Sequence, residues 1–355
     1  MLDMLGEGNA AALVGAFGGI ILGLAARLGR FCTLGAIEDY AYGQSDARLR
    51  MWGFAIGVAV VGTFGLSWAG FAAEERSLYL STQVMPLMAI AGGLLFGYGM
   101  AIAGNCGYGA LARLGGGDLR NFVIVVVFGI ATYATLSGPL AWLRVGYLPT
   151  PEPAAQPQGI AHGLSGLTGV SADLIGIVIG VAIIIATLRS KPFRQNTSAI
   201  FWSLMVAFAI LSAWIGMTYI NRTGFDELAV VSHTFAAPIG ETMVYTMTAT
   251  GQTLSFAIGS VAGVWAGACA GSLIKGHFRW EACEDPRELR RQILGAGVMG
   301  VGAAFALGCS FGQGLSAMSV LAYSAPLTAA GILIGARIGL RQLVEGLLPT
   351  RRMLE

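Results

Sequence analysis

The chain has 355 residues, of which 55% are hydrophobic and only 11% charged, with 53 glycines and a mean hydropathy of +0.70. Soluble domains carry about 25% charged residues, so this balance excludes an ordinary soluble enzyme. A net charge of +2 gives no electrostatic case for a nucleic-acid partner.

Crossing ~30 Å of hydrocarbon takes about 20 apolar residues in a helix. Apolar runs of roughly that kind fall at 12–28, 51–73, 86–104, 121–143, 173–188, 200–220, 249–274, 292–307 and 319–340, the fifth and eighth being short. The predicted fold is therefore an all-α polytopic membrane protein with about nine transmembrane helices. The first nine residues are acidic (Asp3, Glu7) where a secretory signal would be basic, so the first run is read as a retained span. With nine spans, 18 of the 21 Lys and Arg residues collect on one side, leaving Arg76, Arg144 and Arg222 on the other. Basic loops stay in the cytoplasm, which predicts a bacterial inner-membrane protein with its N-terminus outside and its C-terminus inside.

Along the chain, 1–146 is read as an N-terminal half and 147–172 as an external linker carrying Pro149, Pro151, Pro153 and Pro157. A C-terminal half follows at 173–355, made of a linking span (173–188) and a second repeat (198–345). Asp226 to Tyr245, moderately polar and interrupted by Pro238, reads as a non-spanning or surface helix, and 284–291 as a short exposed cytoplasmic helix.

Residues 93–109 and 296–312 share the pattern G-x-G-x6-C-x-aromatic-G at an offset of 203 residues, centred on Cys106 and Cys309. They end the third and eighth spans, five crossings apart, and so run in opposite directions. Inverted repeats of this kind are frequent in secondary transporters, with the substrate site between the repeats. A looser copy ends the first span, where Cys32 has Gly23 nine residues before it and Gly35 three after. A fourth copy is expected after the sixth span, with 221–224 (Asn-Arg-Thr-Gly) as a cysteine-less remnant.

In each element an apolar helix meets small residues, a cysteine and a glycine before a second apolar stretch. Irregular backbone at membrane depth is tolerated only where protein or a polar cavity satisfies it, which predicts short re-entrant helices such as 110–114 and 313–318. A helix N-terminus inside a membrane suits an anion, and a neutral thiol there can donate to a soft sulfur atom. Cys32, Cys106 and Cys309 are therefore the candidate substrate-binding thiols. Thr33, Asn105, Ser310 and Gln313 lie beside them and could hydrogen-bond substrate oxygens; helix packing accounts for them equally well. Arg30 and Arg113 stand where an anion would leave toward the basic side. His162, His233 and His277 are scattered, and no zinc spacing, phosphate loop, Rossmann unit or Ser/His/Asp pattern occurs, so no metal or cofactor is expected.

At Arg30-Phe31-Cys32-Thr33-Leu34-Gly35, at 97–109 around Cys106 and at 308–312 around Cys309, the chain resembles the YeeE/YedE family of sulfur-transport proteins, and does so over almost its whole length. That resemblance implies nine spans with partly penetrating helices in an hourglass-like body. It also implies uptake of thiosulfate along the three motif cysteines, and work with a small cytoplasmic TusA-like sulfur-carrier protein. No TusA-like domain is attached in this sequence, and the central linker is longer and richer in proline than the resemblance leads one to expect. Rival readings are a transporter of selenium oxyanions or another sulfur species, a membrane sulfurtransferase forming a cysteine persulfide, and a structural membrane component.

Overall fold

Glycine spacing decides how closely the helices approach one another. The structure, a computed structural model, describes residues 6–147, 152–225, 228–282 and 285–346. Outside the described residues lie Pro149 and Pro151 of the linker, Asp226, Cys283, Glu284, and the terminal Arg351 and Arg352.

The first helix, α1 (Glu7–Leu28), ends in a break at 29–32 and is followed by the short α2 (Thr33–Ala41) and by α3 (Ala47–Trp68). After a one-turn α4 (Leu78–Ser81), α5 (Pro86–Ala103) leads through Gly104, left-handed at φ 79°, into the short α6 (Gly107–Gly115). Then come α7 (Arg120–Leu136), α8 (Pro139–Tyr147), α9 (Ile160–Thr168), α10 (Ala172–Leu188) and α11 (Lys191–Gln195). The remaining helices are α12 (Thr197–Thr223), α13 (Ala237–Thr248), α14 (Phe256–Ile274) and α15 (Pro286–Phe305), then a π-helical turn (Gly312–Ala317) and α16 (Ser324–Glu345).

Gly15, Gly19 and Gly23 of α1 face Gly259, Gly263 and Gly267 of α14, each at four-residue spacing, and a Cβ at any of the six would collide with backbone of the opposite helix. Gly93 and Gly97 of α5 meet Gly331 and Gly335 of α16 in the same way, while Gly92 and Gly99 meet Gly302 and Gly295 of α15. In lipid, where apolar side chains gain nothing by leaving solvent, close backbone approach is what binds helices together. The packing partners come in matched sets: α1 with α14 and α12 with α3; α5 with α16 and α15 with α7; α6 with α14 and the π-turn with α3.

Seven helical stretches among the described residues are long and apolar enough to cross a membrane: Glu7–Ala41, Ala47–Trp68, Pro86–Gly115, Arg120–Trp142, Thr197–Thr223, Phe256–Ile274 and Ser324–Glu345. The protein is thus an all-α polytopic membrane protein. The two short runs expected as spans correspond to α10, which has 17 residues, and to α15, whose 20 residues include Arg287, Arg290 and Arg291.

Three local expectations differ. Residues 221–223 are the last turn of α12, with no break, because nothing before Gly224 stops the helix. Pro238 does not interrupt a helix but sits in the first turn of α13, where its missing N–H costs nothing; α13 packs between α7 and α14. Of the exposed helix expected at 284–291, residues 286–291 are the start of α15, capped by Asp285, whose side chain accepts the Arg287 N–H at 2.8 Å. The 152–172 part of the linker region packs on the body: Ile160 donates its N–H to the Leu321 carbonyl (2.8 Å), Tyr323 donates to Gln158 (3.1 Å), and Ala161 is fully buried.

Candidate functional site

Three of the helix breaks carry a cysteine at or near the start of the following short helix. Cys32 is the N-cap of α2 and Cys106 the N-cap of α6. The Cys106 sulfur accepts the Gly109 N–H at 3.3 Å, and the Cys309 sulfur accepts the Gly312 N–H at 3.4 Å. These two thiols thus do what a Ser or Asp side chain does at an N-cap, satisfying a free donor of the first turn, whereas the Cys32 sulfur makes no such bond. Accepting through a sulfur lone pair leaves the S–H proton available to a ligand.

The break before Cys309 is held by side chains. Leu307, left-handed at φ 52°, and Gly308 end α15, with Gly308 donating back to Ala303 at 2.9 Å. The Gln313 amide donates to the carbonyls of Ala306 (2.8 Å) and Leu307 (3.3 Å), and its oxygen accepts from Ser324 (3.2 Å). As placed, Gln313 secures this turn.

The three thiols come together. Cys106 lies within electrostatic reach of both Cys32 and Cys309, and Ser310 hydrogen-bonds to it. The Thr33 hydroxyl donates to Ser310 at 3.2 Å, tying the Cys32 element to the Cys309 element across 277 residues. Cys106 and Cys309 are each 1% exposed, whereas Cys32 is only partly buried, and these three, with Cys269, are free thiols. Asn105 is buried and spends one amide hydrogen on Asn121 (3.0 Å), which in turn donates to Asp118 (2.7 Å).

Several contributors escaped the sequence reading. The extended segment before α13 passes against Cys309: the Phe235 N–H donates to its sulfur at 3.4 Å and the Thr234 hydroxyl stands 3.7 Å away. His233 anchors that segment, its Nδ1 2.7 Å from Ser260 and its carbonyl accepting from Ser316 at 2.6 Å. Gly312 is needed here because a Cβ would overlap the Thr234 hydroxyl and lie 3.1 Å from that of Tyr79.

Phe235 and Ala236 precede α13 as Phe31 and Cys32 precede α2. Phe235 packs 5.3 Å from Tyr108, and Phe31 packs 6.3 Å from Phe311, the aromatic residues of the two main motifs. Ala236 is the N-cap of α13 as Cys32 is the N-cap of α2. The signal was present as Phe-Cys against Phe-Ala at an offset of 204 residues, one more than the offset of the main motifs.

Aromatic rings surround the thiols. Phe31 stacks on Trp52 at 4.7 Å, and Phe311 touches Trp52 (5.8 Å), Tyr108 (4.7 Å) and Phe235 (5.3 Å). Trp52 is 7% exposed and its indole N–H has no partner among the described residues. A buried donor without an acceptor is exceptional in a folded protein.

Cavities open toward the cluster from two sides. On the basic side a vestibule of about 380 Å³ is lined by Cys32, Asn105, Arg27, Arg30 and Arg113 among others. On the other side, Tyr79 and Leu307 line two smaller cavities of about 30 and 190 Å³, one reaching Gln313 and the other Thr234 and Gly308. Among the described residues no group of three or more His, Cys, Asp or Glu side chains is arranged to hold a metal.

Residues 28–338 match a protein-family profile described as sulphur transport. The thiosulfate transporter TsuA of Spirochaeta thermophila is 24% identical over 324 residues, covering 89% of this chain and 94% of the relative. The thiosulfate transporter TsuA of Escherichia coli K12 is 22% identical over 322 residues, covering 85% of this chain and 86% of the relative.

Proposed function

Because the chain belongs to the sulphur-transport family, YeeE/YedE, over residues 28–338, we propose that it takes up thiosulfate by a relay of thiol contacts from Cys309 through Cys106 to Cys32. The observation that carries the reading is the run of three neighbouring thiols between the Tyr79-lined cavities and the basic vestibule. An anion entering beside Tyr79 meets Cys309, with Thr234 and the Phe235 N–H around it. Cys106 and Ser310 receive it next, and Cys32 releases it into the vestibule.

Each S–H contact is weak, which suits conduction: an ion must bind well enough to enter and loosely enough to leave. The short helices present their N-terminal N–H groups beside the same thiols. The aromatic shell keeps the passage dry, so that an ion crosses only where donors replace its water. Thr33, Asn105 and Ser310 would serve the substrate oxygens, and Gln313 would keep Cys309 in register.

The reciprocal helix packing and the Phe31–Phe235 correspondence support two repeats, 1–146 and 198–345, joined through 147–172 and the linking helix at 173–188. In this reading the chain makes nine crossings of the bacterial inner membrane. Its basic face is cytoplasmic and its N-terminus external, and a small TusA-like protein takes the sulfur anion at the cytoplasmic side.

The test is uptake of radiolabelled thiosulfate into proteoliposomes by the wild type and by Cys106→Ala, with external sulfate and selenite as competitors. Uptake that is lost in the variant and indifferent to external sulfate supports the relay. Equal uptake by the variant ends it, and displacement by selenite moves the substrate to selenium oxyanions.

A further inference from the structure

The vestibule carries more positive charge than its carboxylates balance. Arg27, Arg30, Arg48, Arg113 and Lys275 line it, and Glu38 is the acidic side chain among its lining residues. Three of the cations have partners: Arg48 pairs with Asp39 at 3.1 Å, the Arg27 Nε donates to Ser272 at 2.6 Å, and Lys275 Nζ donates to the carbonyls of Arg27 (3.0 Å) and Leu28 (3.1 Å). The Arg30 and Arg113 side chains make no hydrogen bond or close ion pair among the described residues; Arg113 faces Glu38 and Arg27 at longer range, and both arginines are exposed to solvent at the cavity.

Two features of the backbone maintain this arrangement at a cost. Arg30 is left-handed, with φ 54°, directly after α1. Glycine is the usual residue for that conformation, and a larger side chain held there is strained. At Gly35 and Gly116 a Cβ would overlap the guanidiniums of Arg48 and Arg27, so glycine lets both lie flat against the cavity wall. A concave site with excess positive charge concentrates anions, and guanidinium forks fit tetrahedral oxyanions through paired N–H donors.

Nothing in this chemistry asks for a terminal sulfur atom. The vestibule offers charge and N–H forks, whereas the buried pair Cys106 and Cys309 offers thiols. We infer that the vestibule is a binding site for divalent sulfur oxyanions in general, filled from the basic side, and that its occupant covers Cys32 and slows inward transport. Sulfate, which carries no soft sulfur for the relay, binds here as well as thiosulfate does. It inhibits from the basic face and not from the opposite one. The inhibitory half of this inference rests on the proposed thiosulfate transport; the binding half does not.

Binding is tested on the detergent-solubilised full chain by the rate at which N-ethylmaleimide, a neutral reagent, alkylates Cys32. Labelling is followed by peptide mass spectrometry in sodium sulfate and in sodium chloride of equal ionic strength. At a sulfate concentration ten times its dissociation constant, mass action predicts protection on the order of tenfold. Arg30→Gln and Arg113→Gln together should abolish the protection, while Cys269, which does not line the cavity, serves as the unprotected control. Equal labelling of Cys32 in the two salts, or protection that survives in the double variant, overturns the site. Inhibition is tested in uniformly oriented vesicles holding sulfate or chloride on the basic side, with thiosulfate on the other. Slower uptake against sulfate supports it; equal uptake, or equal inhibition by sulfate from either face, overturns it. Failure of wild-type uptake would count against thiosulfate transport and leave the labelling result standing.

Discussion

The Cys309 sulfur accepts the backbone N–H of Phe235 at 3.4 Å, across 74 residues of sequence. With the Gly312 N–H at 3.4 Å, the thiol holds two main-chain donors from separate parts of the chain. Beside the substrate contact proposed for it, the thiol is thus a fastener between the 228–236 segment and the π-turn.

These two roles separate in substitution. Cys309→Ala leaves both N–H groups buried without an acceptor, costing about 1–3 kcal/mol of stability. Cys309→Ser keeps an acceptor and should melt close to the wild type, yet lose uptake on the order of tenfold or more, the effect of roughly 1.4 kcal/mol in the passage barrier. Thermal unfolding and thiosulfate uptake on the same preparations check this, and a serine variant with full uptake would remove sulfur from the mechanism.

Trp52 is the second case. Its unpartnered indole N–H lies within the aromatic shell beside Phe31 and Phe311. A donor serving a passing anion is worth about 1.5 kcal/mol or more, roughly tenfold. Trp52→Phe should accordingly raise the KM for uptake by about that factor with little change in melting temperature. An unchanged KM would leave the indole a purely packing group.

A pH effect arises far from the thiols, at Glu74 in the loop after α3. Burial, with the nearby charges of Asp173 and Glu75 adding to it and a hydrogen bond with Ser67 opposing it, raises its carboxyl pKa from 4.5 to about 7. The folded protein then holds a proton that the unfolded chain has released. Stability contributed by the neutral carboxyl is complete below pH ~4.5 and is lost as pH rises to about 7. The loss is on the order of 3 kcal/mol. Glu74→Gln should flatten that slope and raise the melting temperature at pH 8; an unchanged profile would show that Glu74 stays charged in the fold.

Helix packing can be broken without touching the site. A Cβ at Gly263 would overlap the Ala16 carbonyl of α1 and come within 2.9 Å of its Cα. Gly263→Val should destabilise the protein by about 1–3 kcal/mol, whereas Gly297→Ala, where a Cβ meets nothing within 4 Å, should not. Detergent melting curves of the two variants compare them directly.

The positions of the membrane helices were legible because hydrophobic length is a local property. The three thiols were legible because Cys106, Cys309 and Cys32 each sit in a glycine-bracketed frame. The likeness of Phe235-Ala236 to Phe31-Cys32 was missed for a physical reason: no cysteine marks it, and Pro238 looked like a helix breaker when it starts α13. Thr234 and Tyr79 carry no pattern, since they reach Cys309 only after α12 and α4 have brought their segments to it. Gln313 and Asn105 were recognised as polar residues beside cysteines, but their partners, the Ala306 carbonyl and Asn121, depend on how each turn closes.

The sequence alone determined that this chain lives in a membrane, that its helices are glycine-rich, and that three cysteine elements share one pattern. Those are matters of composition and spacing, which exist before any fold. Only the tertiary structure decided that the three thiols lie within electrostatic reach of one another through Cys106, that Phe235 and Thr234 complete the Cys309 surroundings, and that arginines from α1, α3 and α6 share one vestibule. Such contacts join residues tens to hundreds of positions apart, and they arise from where glycine lets one backbone lie against another.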